Sequence, residues 1–126
     1  MFAPTWPELR IVLEPAEGDC RAIADREMIR QVLVNLCSNS AFVAAELRIR
    51  ARRSGGQVLV DFRDDGPGVP PEVRARLFEP YTTTRKIGEG MGLGLAISKK
   101  IMLDHDGDLV LLQSHRGAHF RMSLPA

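Results

Sequence analysis

The chain reads as an α+β domain, a two-layer α/β sandwich whose mixed, mostly antiparallel sheet carries about three helices on one face. Three patterns predict this. Residues 47–52 with 58–64 alternate, and the apolar run 109–112 is followed by the alternating run 120–124; each pair is joined by a Gly-containing turn and reads as a hairpin. Two long runs, from Asp25 and from Leu93, place apolar residues at helical spacing and need a sheet to cover them. The order strand, helix, hairpin, short helix, polar stretch, helix, hairpin buries every apolar stripe in two layers.

Leu9, Ile11 and Leu13 alternate with Arg10, Val12 and Glu14 as a first strand, and Pro15 to Asp19 is a loop. Asp25 is the expected N-cap of a helix through about Ala45, with Ile29, Val32, Leu33, Leu36, Val43 and Ala44 on one face. Gln31, Asn35 and Asn39 recur every fourth residue along the margin of that face. Asparagine is a poor interior helix former, because its side chain competes for backbone hydrogen bonds. The stripe is either a polar site beside the core, with amide oxygens of the kind Mg²⁺ accepts, or a set of amides that satisfy buried backbone groups.

Leu47, Ile49 and Ala51 alternate with Arg48, Arg50 and Arg52, a strand with a solvated arginine face, and Ser54-Gly55-Gly56 makes the turn. On the return strand Val58, Val60 and Phe62 point inward, and period two puts Asp64 on the same face. A core-facing carboxylate accepts hydrogen bonds only, so it requires a donor such as an amine. The alternative is a turn-forming aspartate, a role that Asp65 in Asp65-Gly66-Pro67-Gly68 fits better.

Pro70-Pro71-Glu72 opens a short helix to about Phe78. Tyr81, Thr82, Thr83, Thr84, Arg85 and Lys86 then form either a phosphate-reaching segment or a solvated polar loop. In Gly88-Glu-Gly-Met-Gly-Leu-Gly-Leu-Ala96 glycines fall on alternate positions before a helix. Glycine lets a ligand approach the backbone, and a helix N-terminus offers free N–H groups to phosphate. Neither the Walker loop nor G-x-G-x-x-G is matched, so this is a phosphate cradle of another kind or a flexible loop. The following helix, with Leu93, Ala96, Ile97 and Ile101 on one face, ends near Asp106-Gly107. Leu109 to Leu112 is an apolar strand, His115-Arg116-Gly117 turns, and Phe120, Met122 and Leu124 alternate in the last strand.

With 126 residues the chain suffices for one domain with a real core. Hydrophobic content of 44% and charged content of 26% exclude a disordered chain, and a net charge of +1 argues against nucleic acid or membrane contact by this domain. No apolar run is long enough to span a bilayer, and no signal peptide is visible. Cys20 and Cys37 lack metal-ligand spacing, which points to a reduced, cytoplasmic setting without a zinc site.

Taken together, these motifs resemble the ATP-binding catalytic domain of bacterial sensor histidine kinases, in the superfamily that includes gyrase, Hsp90 and MutL ATPases. Gln31-Val-Leu-Val-Asn-Leu-Cys-Ser-Asn39 resembles the N box and Asp64-Asp-Gly-Pro-Gly68 the G1 box. Leu77-Phe-Glu-Pro-Tyr-Thr-Thr-Thr-Arg85 is similar to the F box, Gly90-Met-Gly-Leu-Gly-Leu-Ala96 to the G2 box, and Phe120-Arg-Met-Ser-Leu-Pro125 to the closing strand. The matches are in family order over residues 25 to 125. They imply a Bergerat-type ATP-binding fold, with residues 1–126 forming a single catalytic domain and an ATP lid over about 69–89.

The resemblance also implies roles. Asn39 would coordinate the Mg²⁺ that bridges the ATP phosphates, with Asn35 organising the same edge. Asp64 would accept from the adenine amino group, with Gly66, Gly68 and Val69 beside the base. Gly90, Met91, Gly92, Leu93, Gly94 and Leu95 would line the phosphates, and Thr84, Arg85 and Lys86 would reach them, Arg85 standing where a lysine often meets the γ-phosphate. The implied activity is protein-histidine kinase: transfer of the γ-phosphoryl group to a histidine on a phosphoacceptor domain, with a response regulator downstream. Residues 1–24 are too few for the family's phosphoacceptor hairpin, so the acceptor is expected on a separate domain. His105-Asp106 lies where the family turns and is expected to be structural.

Departures from the pattern are Phe42, where many members carry a basic residue, and Ser40 in place of alanine, a mild change. Tyr81 replaces the F-box phenylalanine, and Ala118 and His119 stand where a threonine often holds a water near adenine. A nucleotide-sensing or docking module without catalysis and a serine-directed kinase of the anti-sigma type are the alternatives.

Overall fold

The computed structural model describes residues 6–79 and 94–126. In chain order these form β1 (Arg10–Leu13), α1 (Arg26–Ala41), β2 (Glu46–Ser54), β3 (Gln57–Asp64), α2 (Pro71–Arg74), α3 (Gly94–Asp104), β4 (Asp108–Leu112) and β5 (His119–Pro125). The strands make one sheet in the order β1-β2-β3-β5-β4. β1 runs parallel to β2, and the other pairs are antiparallel, as the two predicted hairpins require.

Register explains which face is buried. Ile49, Phe62 and Phe120 are cross-strand neighbours, as are Ala51, Val60 and Met122. This face joins Val32, Leu36 and Cys37 of α1 and Ile101 and Met102 of α3 in one core cluster. Val32, Met102 and Leu109 are completely buried. The opposite face carries the arginines, and several are ion-paired: Arg48 with Glu46 at 3.2 Å, Arg50 with Glu17, and Arg121 with Asp61 at 2.8 Å. Among these, Asp61 is buried, because Arg121 and the His119 ring, 3.0 Å away, close over it.

The helices differ from expectation in three places. Asp25 caps α1 as predicted, accepting from the Met28 N–H at 3.0 Å, but α1 stops at Ala41 rather than Ala45. The Asp65 carboxylate draws in the N–H groups of Ala45 and Glu46, both at 2.9 Å, and so starts β2 early. Val43, expected in the core, is consequently half exposed. α2 ends at Arg74 and turns carry the chain through Leu77, which is buried, and Phe78, which meets Phe120 edge-on. On α3 the buried face is Ser98, Ile101 and Met102, whereas Ile97 is 40% exposed. Ser98 can be buried because Asn35 Nδ2 donates to its hydroxyl at 3.1 Å.

The end of α3 is a Schellman motif: Gly107 N–H donates to Met102 and Asp106 N–H to Leu103. Asp106, not the glycine, takes the positive φ, of 59°. Gly107 is needed for space, since a Cβ there would lie 2.0 Å from the Ser123 carbonyl oxygen. His105 joins the two long helices. Its Nε2 accepts the Asp25 N–H at 3.1 Å, so Nδ1 carries the proton donated to Ile101 at 2.8 Å. The histidine is thus structural, as expected.

Two tests follow from this packing. Ser98→Ala should lower stability by about 1 kcal/mol, read as a reduced denaturant midpoint with unchanged slope. The second concerns acid. Burial pushes the Asp61 carboxyl up, but hydrogen bonds from Arg121 and His119 outweigh it and hold the group below the usual range. A carboxyl lowered by folding adds stability above its unfolded pKa, and that stability is lost as pH falls through the folded value. Asp61→Asn should therefore be less stable than the parent chain at pH 7, and the gap should narrow in denaturant titrations carried to about pH 3.

Candidate functional site

Asp64 ends β3 on the core face and is 7% exposed. Its Oδ1 accepts from the N–H groups of Gly66 and Ala118, each at 3.0 Å. Its Oδ2 accepts from the buried Ser40 hydroxyl at 3.2 Å. A carboxylate has about four acceptor directions, so one on Oδ2 remains. Internal donors thus offset most of the burial penalty without using up the group. Ser40, expected to be a mild change, is a direct partner of the aspartate.

Two glycines are required here by close approach. A Cβ on Gly117, whose φ is +68°, would sit 1.9 Å from the Asp64 carbonyl oxygen. A Cβ on Gly66 would lie 2.8 Å from the Val43 carbonyl oxygen. Asp64 and Ala118 also bond through their backbones, Asp64 N–H to Ala118 at 3.0 Å. The C-terminal end of α1, the 64–68 loop and the turn before β5 thus converge on the Asp64 carboxylate. Gly68, at φ +80°, continues the loop, and Val69 packs against the core.

Asn35 lies nearer the N-terminus of α1 and faces α3. Its Nδ2 donates to the Gly94 carbonyl at 3.2 Å as well as to Ser98, so it ties α1 to the first turn of α3. Asn35 therefore satisfies a backbone group, while Asn39 lies one turn further along the same margin, partly buried. Leu95 packs against the core, and a Cβ at Gly94 would make ordinary contact with Asn35. Phe42 caps α1 and is 48% exposed. His119 faces away from Asp64: its ring meets Asp61 on the other side of the sheet, and Ala118 is the neighbour of Asp64. Among the described residues no cluster of His, Cys, Asp or Glu could hold a metal ion.

Thr84, Arg85, Lys86, Gly90, Met91, Gly92 and Leu93 lie outside the described residues, as do residues 80–89 of the expected lid. Within the described part, sequence reasoning passed over Ser98, Gly117 and the Ala118 N–H. Gly117 stood out only as a turn glycine and Ala118 only as a departure near the base, and nothing local marked Ser98.

Comparison with known proteins agrees with this geometry. Residues 24–126 match the family described as histidine kinase-, DNA gyrase B- and HSP90-like ATPase. The nitrogen regulation protein NtrY of Azorhizobium caulinodans is 40% identical over 81% of this chain and 14% of its own length. The C4-dicarboxylate transport sensor protein DctS of Rhodobacter capsulatus is 43% identical over 85% of this chain and 17% of its own length. The chain thus spans a small part of these relatives. Among solved structures, the nucleotide-free catalytic domain of histidine kinase ThkA superposes with a TM-score of 0.82 at 31% identity, covering 94% of this chain and 79% of that one. Full-length ShkA in complex with AMPPNP gives 0.80 at 29% identity, covering 93% of this chain and 25% of that one. The five-stranded α+β sheet, the backbone and hydroxyl donors around Asp64 and these matches together establish that the chain belongs to the histidine kinase-, DNA gyrase B- and HSP90-like ATPase family.

Proposed function

We propose that this chain binds ATP with Mg²⁺ and donates the γ-phosphoryl group to a histidine on a separate phosphoacceptor domain, in two-component signalling with a response regulator downstream. The observation that carries the reading is the Asp64 carboxylate, held by three internal donors with one acceptor direction left open. An exocyclic purine amine would complete it. Membership of the ATPase family, the sensor proteins among the relatives and the AMPPNP held by ShkA support the same reading.

In this reading Asp64 orients the base and Gly66 and Gly68 let it reach the backbone. Asn35 holds the first turn of α3, so that Gly94 and Leu95 present their end of the helix to phosphate. Asn39 supplies a neutral oxygen suited to Mg²⁺, and Thr84, Arg85 and Lys86 approach the terminal phosphates. When bound, Mg²⁺ supplies charge neutralisation at the phosphates. The protein's share of phosphoryl transfer is positioning and electrostatics rather than covalent chemistry. ATP use and the free Cys20 and Cys37 fit a cytoplasmic location for the domain.

Calorimetric titration should show Mg²⁺-assisted ATP binding with little GTP binding; no binding at millimolar ATP would sink the reading. Asn39→Ala should remove the Mg²⁺ dependence, and retained dependence would place the metal elsewhere. Mixed with a phosphoacceptor hairpin from a sensor histidine kinase, the chain should transfer label from γ-labelled ATP to histidine. Label on serine, or none despite tight ATP binding, would favour a different kinase or a sensing module.

A further inference from the structure

The partner of Asp64 that the family pattern does not anticipate is Ser40. Ser40, on α1, is 3% exposed, and its hydroxyl lies 3.2 Å from Asp64 Oδ2. The two carboxylate oxygens are therefore pinned from opposite sides. The Gly66 and Ala118 N–H groups fix Oδ1, and Ser40 fixes Oδ2. Both backbone donors sit where the chain passes close to other backbone, since a Cβ at Gly66 or at Gly117, next to Ala118, would clash with a carbonyl oxygen.

We propose that Ser40 is a positioning residue for specificity: the Ser40–Asp64 pair, rather than Asp64 alone, sets the preference for a 6-amino over a 6-oxo purine. The inference rests on the nucleotide reading above and goes beyond it. With its proton committed to Asp64, the serine leaves Oδ2 one acceptor direction and the site no donor there. A 6-amino group can give a hydrogen bond to that direction. A 6-oxo group would set acceptor against acceptor, leaving a buried polar pair unsatisfied. Without the serine, a water takes the place of its hydroxyl. A water can turn its proton from Oδ2 to a 6-oxo group, so discrimination weakens although the carboxylate remains.

The same geometry predicts what an amide would do at position 64. Oδ1 faces two N–H donors, so in Asp64→Asn the amide oxygen must occupy that place and the amide nitrogen must replace Oδ2. One of its protons is then taken by Ser40 Oγ, which accepts instead of donating. The other takes the open direction and suits a 6-oxo group.

The test uses ATP and inosine triphosphate, which differ at the purine 6-position, with dissociation constants measured by calorimetry on the chain as it stands. The parent chain should favour ATP. Ser40→Ala should reduce the ATP-to-ITP preference by about fivefold, the size of one hydrogen bond. Ser40→Thr, which keeps the hydroxyl, should restore it. Asp64→Asn should favour ITP, and adding Ser40→Ala should leave that reversal in place, because the Gly66 and Ala118 N–H groups alone fix the amide orientation. Thermal melting of each variant identifies any that does not fold, and the remaining comparisons still decide the matter. If Ser40→Ala weakens ATP and ITP equally, or leaves their ratio unchanged, Ser40 is structural only and the proposal falls while the nucleotide reading stands. If the parent chain binds neither nucleotide, both fall together.

Discussion

One buried carboxylate holds this site together. Asp64 sits where the end of α1, the loop after β3 and the turn before β5 converge, and it bonds to all three. Removing such a group from water is costly unless donors replace the lost hydration. Here the donors are two backbone amides and one hydroxyl, all on rigid elements, so the group is stabilised and aimed at once. The glycines at 66 and 117 are consequences of this convergence, because only a residue without Cβ lets the backbones pass so closely.

The second constraint is the polar seam between α1 and α3. Apolar packing of Val32 and Leu36 against Ile101 and Met102 holds the helices to the sheet, but dispersion is tolerant of small slides along a helix axis. Asn35 bonding to Gly94 and Ser98, and His105 bonding to Asp25, remove that freedom at both ends of the contact. The start of α3 is therefore placed relative to the Asn35–Asn39 margin by directional bonds. A phosphate site that works by positioning requires that kind of placement.

The rear of the sheet answers to different physics. Among the described residues no helix covers it, so its arginines remain largely at the surface while their stems and ion pairs cover Asp61 and His119. His119 belongs to this rear network, not to the site. A one-residue step along a strand reverses the face, which is why Ala118 and His119, adjacent in sequence, serve opposite sides of the molecule.

Much of the architecture was legible in the chain itself. Period-two alternation in 47–64 and 120–124 and the apolar run 109–112 yield the hairpins, helical periodicity yields α1 and α3, and the inward parity of Asp64 marks the site, because these depend on neighbours a few residues away. The same local reasoning misplaced the end of α1 and the phase of α3. Asp65 draws Ala45 and Glu46 out of the helix from across a turn of structure, and Ser98 is buried only because Asn35 arrives from another helix. Sequence alone thus determined the element types, the inward carboxylate and the glycine-rich boxes, all of which are encoded by short-range spacing. Only the tertiary structure decided that Ser40, Gly66 and Ala118 grip that carboxylate, that Asn35 locks α3, and that His119 faces away. Each of those rests on a hydrogen bond or close contact whose geometry exists only once the chain has folded.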